Sequence, residues 1–387
     1  MVPSSLTVAC RNRRSAICPP CSDLYQADAW ILVAAGLGGG KGVAPDVISH
    51  PRFFVTLTAP SFGPVHRATN SGWCHQRTRQ RCPHDGVLVC RERHQNNDVV
   101  LGTPLCVECF DYRGAVLWNH AVSRLWVRTM QETRRESAKI AGVARDELES
   151  SVTLNYIKVV EFQRRGLAHV HAIVRADGPH RTSPPNWLTS AVLHEALLRA
   201  HQRTWVNDLD HSRIHWGKQL AIAEIVAESG SVTKAASYLA KYATKTTTGD
   251  LSFAYRFTTR EQIESTNTSD HLRTLALTCF DLASEPQLQG HPMERCANAF
   301  GMKGQLVTKS RDYSSTFQAL RSARADHESS SNTHQVLPGS FGYLGRGYDD
   351  PIAERGAQIL HQMKLDARRE HREAKLLARE LVSSEPL

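Results

Sequence analysis

The chain has 387 residues, of which 41% are hydrophobic and 22% charged, with a net charge of +9 and a pI near 9.1. That composition is ordinary for a soluble globular protein with a sizeable core. Its basic balance favours polyanionic partners, nucleic acid or an anionic membrane surface. No apolar run reaches the ~18 residues of a membrane span. The longest, 29–36, runs into Gly38, Gly39 and Gly40, and Arg11, Arg13 and Arg14 stand where the core of a signal peptide would lie. A cytoplasmic protein with no membrane association is expected.

The chain carries ten cysteines, eight of them before residue 110. In a reducing compartment such usage points to metal rather than disulfides. Cys18 and Cys21, and Cys106 and Cys109, have C-x-x-C spacing, and two such knuckles complete a tetrahedral structural zinc site. Cys74, Cys82, His84 and Cys90, with His94 nearby, can supply a second. Between the outer pairs lies Phe53-Phe54-Val55-Thr56-Leu57-Thr58, a β-rich run ended by Pro60, Gly63 and Pro64. If the outer pairs share an ion, a zinc module is threaded through the domain that owns this strand. The run Gly36-Leu37-Gly38-Gly39-Gly40-Lys41-Gly42 fails as a phosphate-binding loop. Ala35 stands where the first glycine should be, and Gly42 replaces the magnesium-binding hydroxyl residue.

Residues 115–145 have the spacing of an amphipathic helix. Strands are expected at 152–162 and 168–175, a helix at 187–205 and a strand at 220–226. Ser231 is a good N-cap for a helix running to about Lys245. Residues 326–334, polar and serine-rich, read as linker, and 351–382 as one charged amphipathic helix.

In a strand, His169 and His171 face the same side, and two imidazoles so placed can hold one divalent ion. If the strands pair through a five-residue loop, 163–167, Phe162 faces Ala168 and Glu161 lies opposite His169, with Cβ atoms about 5 Å apart. A one-residue slip would turn Glu161 away. On the later helix, Tyr238, Lys241, Tyr242 and Lys245 form one stripe, and Val232, Ala235, Ala236, Leu239 and Ala243 an apolar one. A phenol of pKa ~10 is a poor nucleophile at neutral pH. Neighbouring ammonium groups and a metal ion ease formation of the phenolate.

The runs at 54–58, 169–174 and 238–245, in that order, resemble the three motifs of the HUH endonucleases that initiate rolling-circle replication. More closely, the chain resembles the actinobacterial plasmid replication initiators of the RepSA type. The resemblance rests on Leu57-Thr58-Ala59-Pro60-Ser61-Phe62-Gly63-Pro64-Val65-His66, on Cys82-Pro83-His84, and on the run 104–112. It rests also on Glu161-Phe162-Gln163-Arg164-Arg165-Gly166 and Thr308-Lys309-Ser310-Arg311. It spans roughly 10–322 and is loose beyond.

It implies an α+β fold, an RRM-like antiparallel sheet flanked by helices, with an interleaved N-terminal zinc module. The expected divisions are a cysteine-rich module at 1–125 interleaved with the nuclease strand 52–59, and a nuclease core at 126–255. A C-terminal extension at 256–322, a linker at 323–350 and a charged helical tail at 351–387 follow. The implied activity is nicking of plasmid origin DNA, Mg²⁺ or Mn²⁺ on Glu161, His169 and His171 polarising the scissile phosphate. Tyr242 or Tyr238 attacks, with Lys241 and Lys245 stabilising charge, and the freed 3′ hydroxyl primes a host DNA polymerase, a host helicase being a further partner. The resemblance leans to Tyr242 as the first nucleophile. A related HUH transposase, a conjugative relaxase, and a non-catalytic zinc-stabilised DNA-binding protein are the alternatives. A non-haem iron oxygenase would explain the histidines and carboxylate but neither the tyrosines nor the cysteines.

Overall fold

A computed structural model of the chain describes residues 10–13, 18–69, 72–75, 81–84, 86–245, 257–331, 350–352, 354–363, 366–367 and 370. Its elements are α1 (Pro19–Gly38), β1 (Arg52–Thr58), β2 (Arg81–Cys82), β3 (Gly86–Val87), α2 (Tyr112–Ala141), α3 (Arg145–Ser151), β4 (Thr153–Phe162) and β5 (Ala168–Asp177). These are followed by α4 (Ser190–Arg203), β6 (Trp205–Asn207), β7 (Arg213–His215), β8 (Leu220–Glu224), α5 (Ser229–Lys245), α6 (Arg260–Glu264), α7 (Asp270–Ala283), β9 (Val307–Lys309) and α8 (Phe317–Ser331). No helix of the described residues is long and apolar enough to cross a membrane.

An antiparallel sheet of five strands, in the order β8-β1-β5-β4-β9, organises the molecule. Alternation along the strands gives it two different faces. One face sends Val55, Leu57, Val160, Val170, Ala172 and Val174 into a core shared with Trp118, Val122 and Trp126 of α2 and Leu193 of α4. The opposite face sends Ile157, Val159 and Ile173 against Leu32 and Leu37 of α1 and Leu239 and Ala243 of α5. Leu32 and Leu239 are fully buried, and burial of such a side chain contributes about 1.5–3 kcal/mol. The apolar stripe of α5 is therefore spent on the sheet and α1, which leaves its tyrosine stripe at the edge of that contact.

Buried polar groups fix the strands to the helices. Arg52 donates to the carbonyls of Leu37 and Ile225 at 2.7 and 2.9 Å, tying the end of α1 to the sheet. Arg175 forms a fully buried bidentate pair with Asp177, which also accepts from His50 and Asn155. Asn119 of α2 donates to Gly166 O and Phe300 O and accepts from Ala168 N, each at 2.9 Å. It thereby staples the turn between β4 and β5. Gly166 in that turn has φ +73°, and a Cβ there would meet Leu275 at 2.2 Å. Asn119→Ala would leave these backbone groups unpaired in the core, at a cost of about 3 kcal/mol or more. The midpoint of urea unfolding should fall accordingly; an unchanged midpoint would contradict the stapling role.

Several expected boundaries move. Residue 125, the expected end of the cysteine-rich module, lies inside α2. The 256–322 extension is built into the same body: β9 is an edge strand of the sheet, and α7 packs in the α2 core. The expected linker is helical as far as Ser331, because α8 is anchored by stacking of Phe317 on Tyr25 at 4.7 Å and by an Arg324–Asp28 ion pair. Tertiary anchoring carries the helix into its serine run; residues 332–349 lie outside those described. The first helix α1 takes up the 29–36 run as core. Helix α5 starts at Ser229, two residues before the expected cap. The tail is helical at 354–363, and 371–387 lie outside the described residues.

Candidate functional site

The histidine strand pairs as the sequence requires. Phe162 is opposite Ala168, Glu161 opposite His169 and Val159 opposite His171. On the other side of β5, Thr58 faces His169 and Thr56 faces His171. Glu161, His169 and His171 thus share the sheet face that α1 and α5 cover. Thr56 Oγ1 lies 3.2 Å from His171 Nδ1, which orients the ring so that Nε2 is 3.4 Å from Glu161 Oε2. The two imidazoles meet edge to face with centroids 4.6 Å apart. Burial, reinforced by His171, pushes the His169 imidazole down to about 4, so the ring is neutral at physiological pH.

The tyrosine helix lies over this pair. Tyr242 is tilted over His171 with centroids 4.3 Å apart, whereas Tyr238 meets the same ring edge-on at 5.8 Å. The phenols are coupled, Tyr242 donating to the Tyr238 hydroxyl at 3.1 Å, with ring centroids 4.6 Å apart. Tyr238 also packs edge-on against Phe54 and is 44% exposed, while Tyr242 is partly buried at the core boundary. One turn of helix therefore presents two hydroxyls at different depths above one imidazole. Trp30 of α1 donates to Ser237 Oγ at 3.2 Å, which fixes the helix from behind. Lys241 is exposed on the tyrosine stripe; Lys245 closes α5, and its side chain lies outside the described residues.

The donor set, two imidazoles and a carboxylate, can hold a divalent metal ion. His169 Nδ1 and His171 Nε2 are buried without a hydrogen-bond partner, and an orphaned buried imidazole nitrogen beside a carboxylate is the arrangement a metal completes. The trio is looser than the cysteine clusters: among the described residues three other groups have ligand atoms all within 4.8 Å of one another, each a candidate metal site.

Those groups correct the expected cysteine pairing. Cys18 and Cys21 do not join Cys106 and Cys109 but lie with Cys10. Pro19 starts α1 directly after Cys18, so the first knuckle rides on a helix packed on the tyrosine side of the sheet. Cys106 and Cys109 lead instead into α2, on the opposite side. Their partners are Cys82 and His84, which therefore do not group with Cys74 and Cys90. Cys74 and Cys90 are completed by His94 and by His66. His66 was visible in the sequence as part of a motif, yet its spacing to any cysteine matches no simple knuckle, and only folding identifies it as a candidate ligand.

Sheet, paired histidines and tyrosine helix define a protein that presents phenolic hydroxyls beside a candidate divalent-metal site. The chain belongs to the RepSA replication initiator family: the family described as replication initiator protein, pSAM2, matches residues 2–377. It is 35% identical over 388 residues to a replication initiator protein from Streptomyces ambofaciens, covering 93% of this chain and 81% of that one. The family match continues beyond 322 into the tail, further than the sequence motifs carry the resemblance. No solved structure matches the chain.

Proposed function

We propose that this replication initiator is an HUH-type, metal-assisted tyrosine nuclease that nicks one strand of plasmid origin DNA for rolling-circle replication. The observation that carries the reading is the placement of Tyr242, tilted over His171, within the Glu161–His169–His171 face. Mg²⁺ or Mn²⁺ held by Glu161, His169 and His171 would polarise the scissile phosphate. Tyr242 supplies the nucleophile. Its phenolic oxygen bonds to phosphorus as the bond from phosphorus to O3′ breaks, and its proton is lost to solvent. The electron pair of the broken bond stays on O3′, which takes a proton and leaves as a 3′ hydroxyl primer, while the 5′ phosphate remains on the tyrosine. Lys241, exposed on the same stripe, is placed to stabilise phosphate charge, and Lys245 is assigned the same task.

Tyr238, further from His171 and more exposed, is the candidate second nucleophile, attacking the regenerated junction to release a circle. In the same reading the cysteine clusters hold structural zinc, and in the cytoplasm a host helicase unwinds the duplex while a host polymerase extends the primer. The experiment is incubation of the zinc-loaded protein with single-stranded origin DNA in Mn²⁺, Mg²⁺ or neither. Site-specific cleavage with a covalent adduct is expected only with the added ion. Binding without cleavage in every condition would instead mark a non-catalytic DNA-binding protein, and cleavage undiminished without ion would remove the metal's role.

A further inference from the structure

The segment 59–111, between β1 and α2, poses a folding problem. Among its described residues, regular structure is confined to β2, β3 and isolated bridges at Val65–Pro104 and His75–Cys90. Between residues 60 and 109 the buried residues among those described are Cys74, Cys82, Leu88, Cys90, Gly102 and Pro104, so its interior is thiols with one leucine, one proline and one glycine. A segment of this size without an apolar core needs another source of order.

The metal-ligating side chains supply it in a particular sequence. Along the chain the ligands run His66, Cys74, then Cys82, His84, then Cys90, His94, then Cys106, Cys109. The first and third pairs form one cluster and the second and fourth the other. We propose that this segment is a cross-braced module holding two zinc ions, one in a His₂Cys₂ and one in a His-Cys₃ site. Neither ion can be bound by a local knuckle alone, so each closes a loop that contains ligands of the other.

The distances are those of tetrahedra waiting to close. Bonds of ~2.0–2.3 Å from zinc to nitrogen and sulfur place ligand atoms about 3.3–3.8 Å apart. In the first cluster His66 Nδ1 is 3.1 Å from His94 Nε2 and 3.9 Å from Cys74 Sγ, and Cys90 Sγ is 3.4 Å from His94 Nε2. In the second, Cys82 Sγ is 3.2 Å from both Cys106 Sγ and Cys109 Sγ. His84 Nδ1 lies 3.6, 4.0 and 3.5 Å from the sulfurs of Cys82, Cys106 and Cys109. All these thiols are free, so disulfides do not explain the approach. Asp98 Oδ2 is 3.3 Å from His94 Nδ1, the carboxylate partner that orients a ligating imidazole through its other nitrogen. His75 Nδ1 also lies 3.1 Å from Cys74 Sγ, but His75 is outside the four-ligand group.

The module is seated on the candidate catalytic hairpin. In the β4–β5 turn, Arg164 donates to Asp98 O and Asn96 O at 2.7 Å, just after the ligand His94. Gly102, at φ +86°, lets that loop approach closely, since a Cβ would lie 2.5 Å from the Arg164 backbone. Arg165 in the same turn donates to Ala59 O and Pro60 O, where the module leaves β1. The two zinc ions therefore hold the framework against which Glu161 and His169 are positioned.

The test is zinc content of the full chain, purified reduced, with Cys18→Ser and Cys21→Ser together removing the separate Cys10 cluster. Native mass spectrometry should find two zinc ions, and X-ray absorption an average first shell between two and three sulfurs, the rest nitrogen. Cys90→Ser and Cys109→Ser should each leave one ion or none, while His75→Ala keeps both. One zinc or fewer in the Cys18→Ser/Cys21→Ser chain, an all-sulfur shell, or two ions retained in Cys90→Ser or Cys109→Ser would overturn the proposal. None of these readouts depends on nicking, so the module and the nuclease reading stand or fall separately.

Discussion

Tyr242→Phe should abolish the first nick and the covalent adduct while leaving the fold and origin binding intact. Phenylalanine keeps the ring that packs at the core boundary over His171 at 4.3 Å and removes only the hydroxyl. Loss of the nucleophile in covalent catalysis costs roughly 10⁴-fold or more, so the expected activity lies below detection in an ordinary gel assay. Tyr238→Phe is the informative partner. Its ring stands further from His171, at 5.8 Å, and it is the acceptor of the Tyr242 hydroxyl. It should still nick but release circles poorly, leaving over-long single-stranded products. A Tyr242→Phe protein that nicks normally beside an inactive Tyr238→Phe would reverse the two roles.

The second large effect concerns the histidines. His169→Ala with His171→Ala should remove divalent-ion binding at this face and suppress nicking by at least the ~10²–10³-fold that loss of one preorganised electrostatic group costs. Origin binding should survive, since the substitutions leave the excess of lysine and arginine in place. Glu161→Ala should act in the same direction, since its carboxylate is the only acid paired directly across from His169. Short EDTA treatment followed by Mn²⁺ should restore the wild type, whereas the double variant should not recover at any Mn²⁺ concentration. Full activity in the double variant would end the assignment of the ion to these residues.

The hairpin was legible because two local rules sufficed. A strand's period of two put His169 and His171 on one face, and a five-residue turn then fixed Glu161 opposite His169. The tyrosine stripe was legible for the same kind of reason, since helical spacing separates Tyr238 and Tyr242 from the buried Leu239 and Ala243. Metal pairing among the cysteines was not legible. C-x-x-C spacing says that two thiols can share an ion but not which other two join them, and the interleaved order defeats any reading by nearest neighbours. Cys18 and Cys21 looked identical in spacing to Cys106 and Cys109, but Pro19 launched them onto a helix on the other side of the sheet.

Other features were hidden because they depend on distant partners. Asp28 is buried in α1 because Arg324, almost 300 positions later, pairs with both of its oxygens at 2.9 Å. Arg175 and Asp177 lie at the end of β5, yet both are fully buried, since each satisfies the other. The edge strand β9 is three residues long and carries no periodicity of its own. It becomes a strand only by pairing with Ile157, Lys158 and Val159.

The most direct measurement is the site of covalent attachment. Wild-type protein is incubated with Mn²⁺ and single-stranded origin DNA, the adduct is digested with nuclease and protease, and the nucleotide-bearing peptide is sequenced by tandem mass spectrometry. The expected result is a 5′-linked phosphotyrosine at Tyr242, absent from Tyr242→Phe and from reactions lacking the ion. Attachment to a residue outside α5, or site-specific cleavage that leaves no protein on the DNA, would contradict the account.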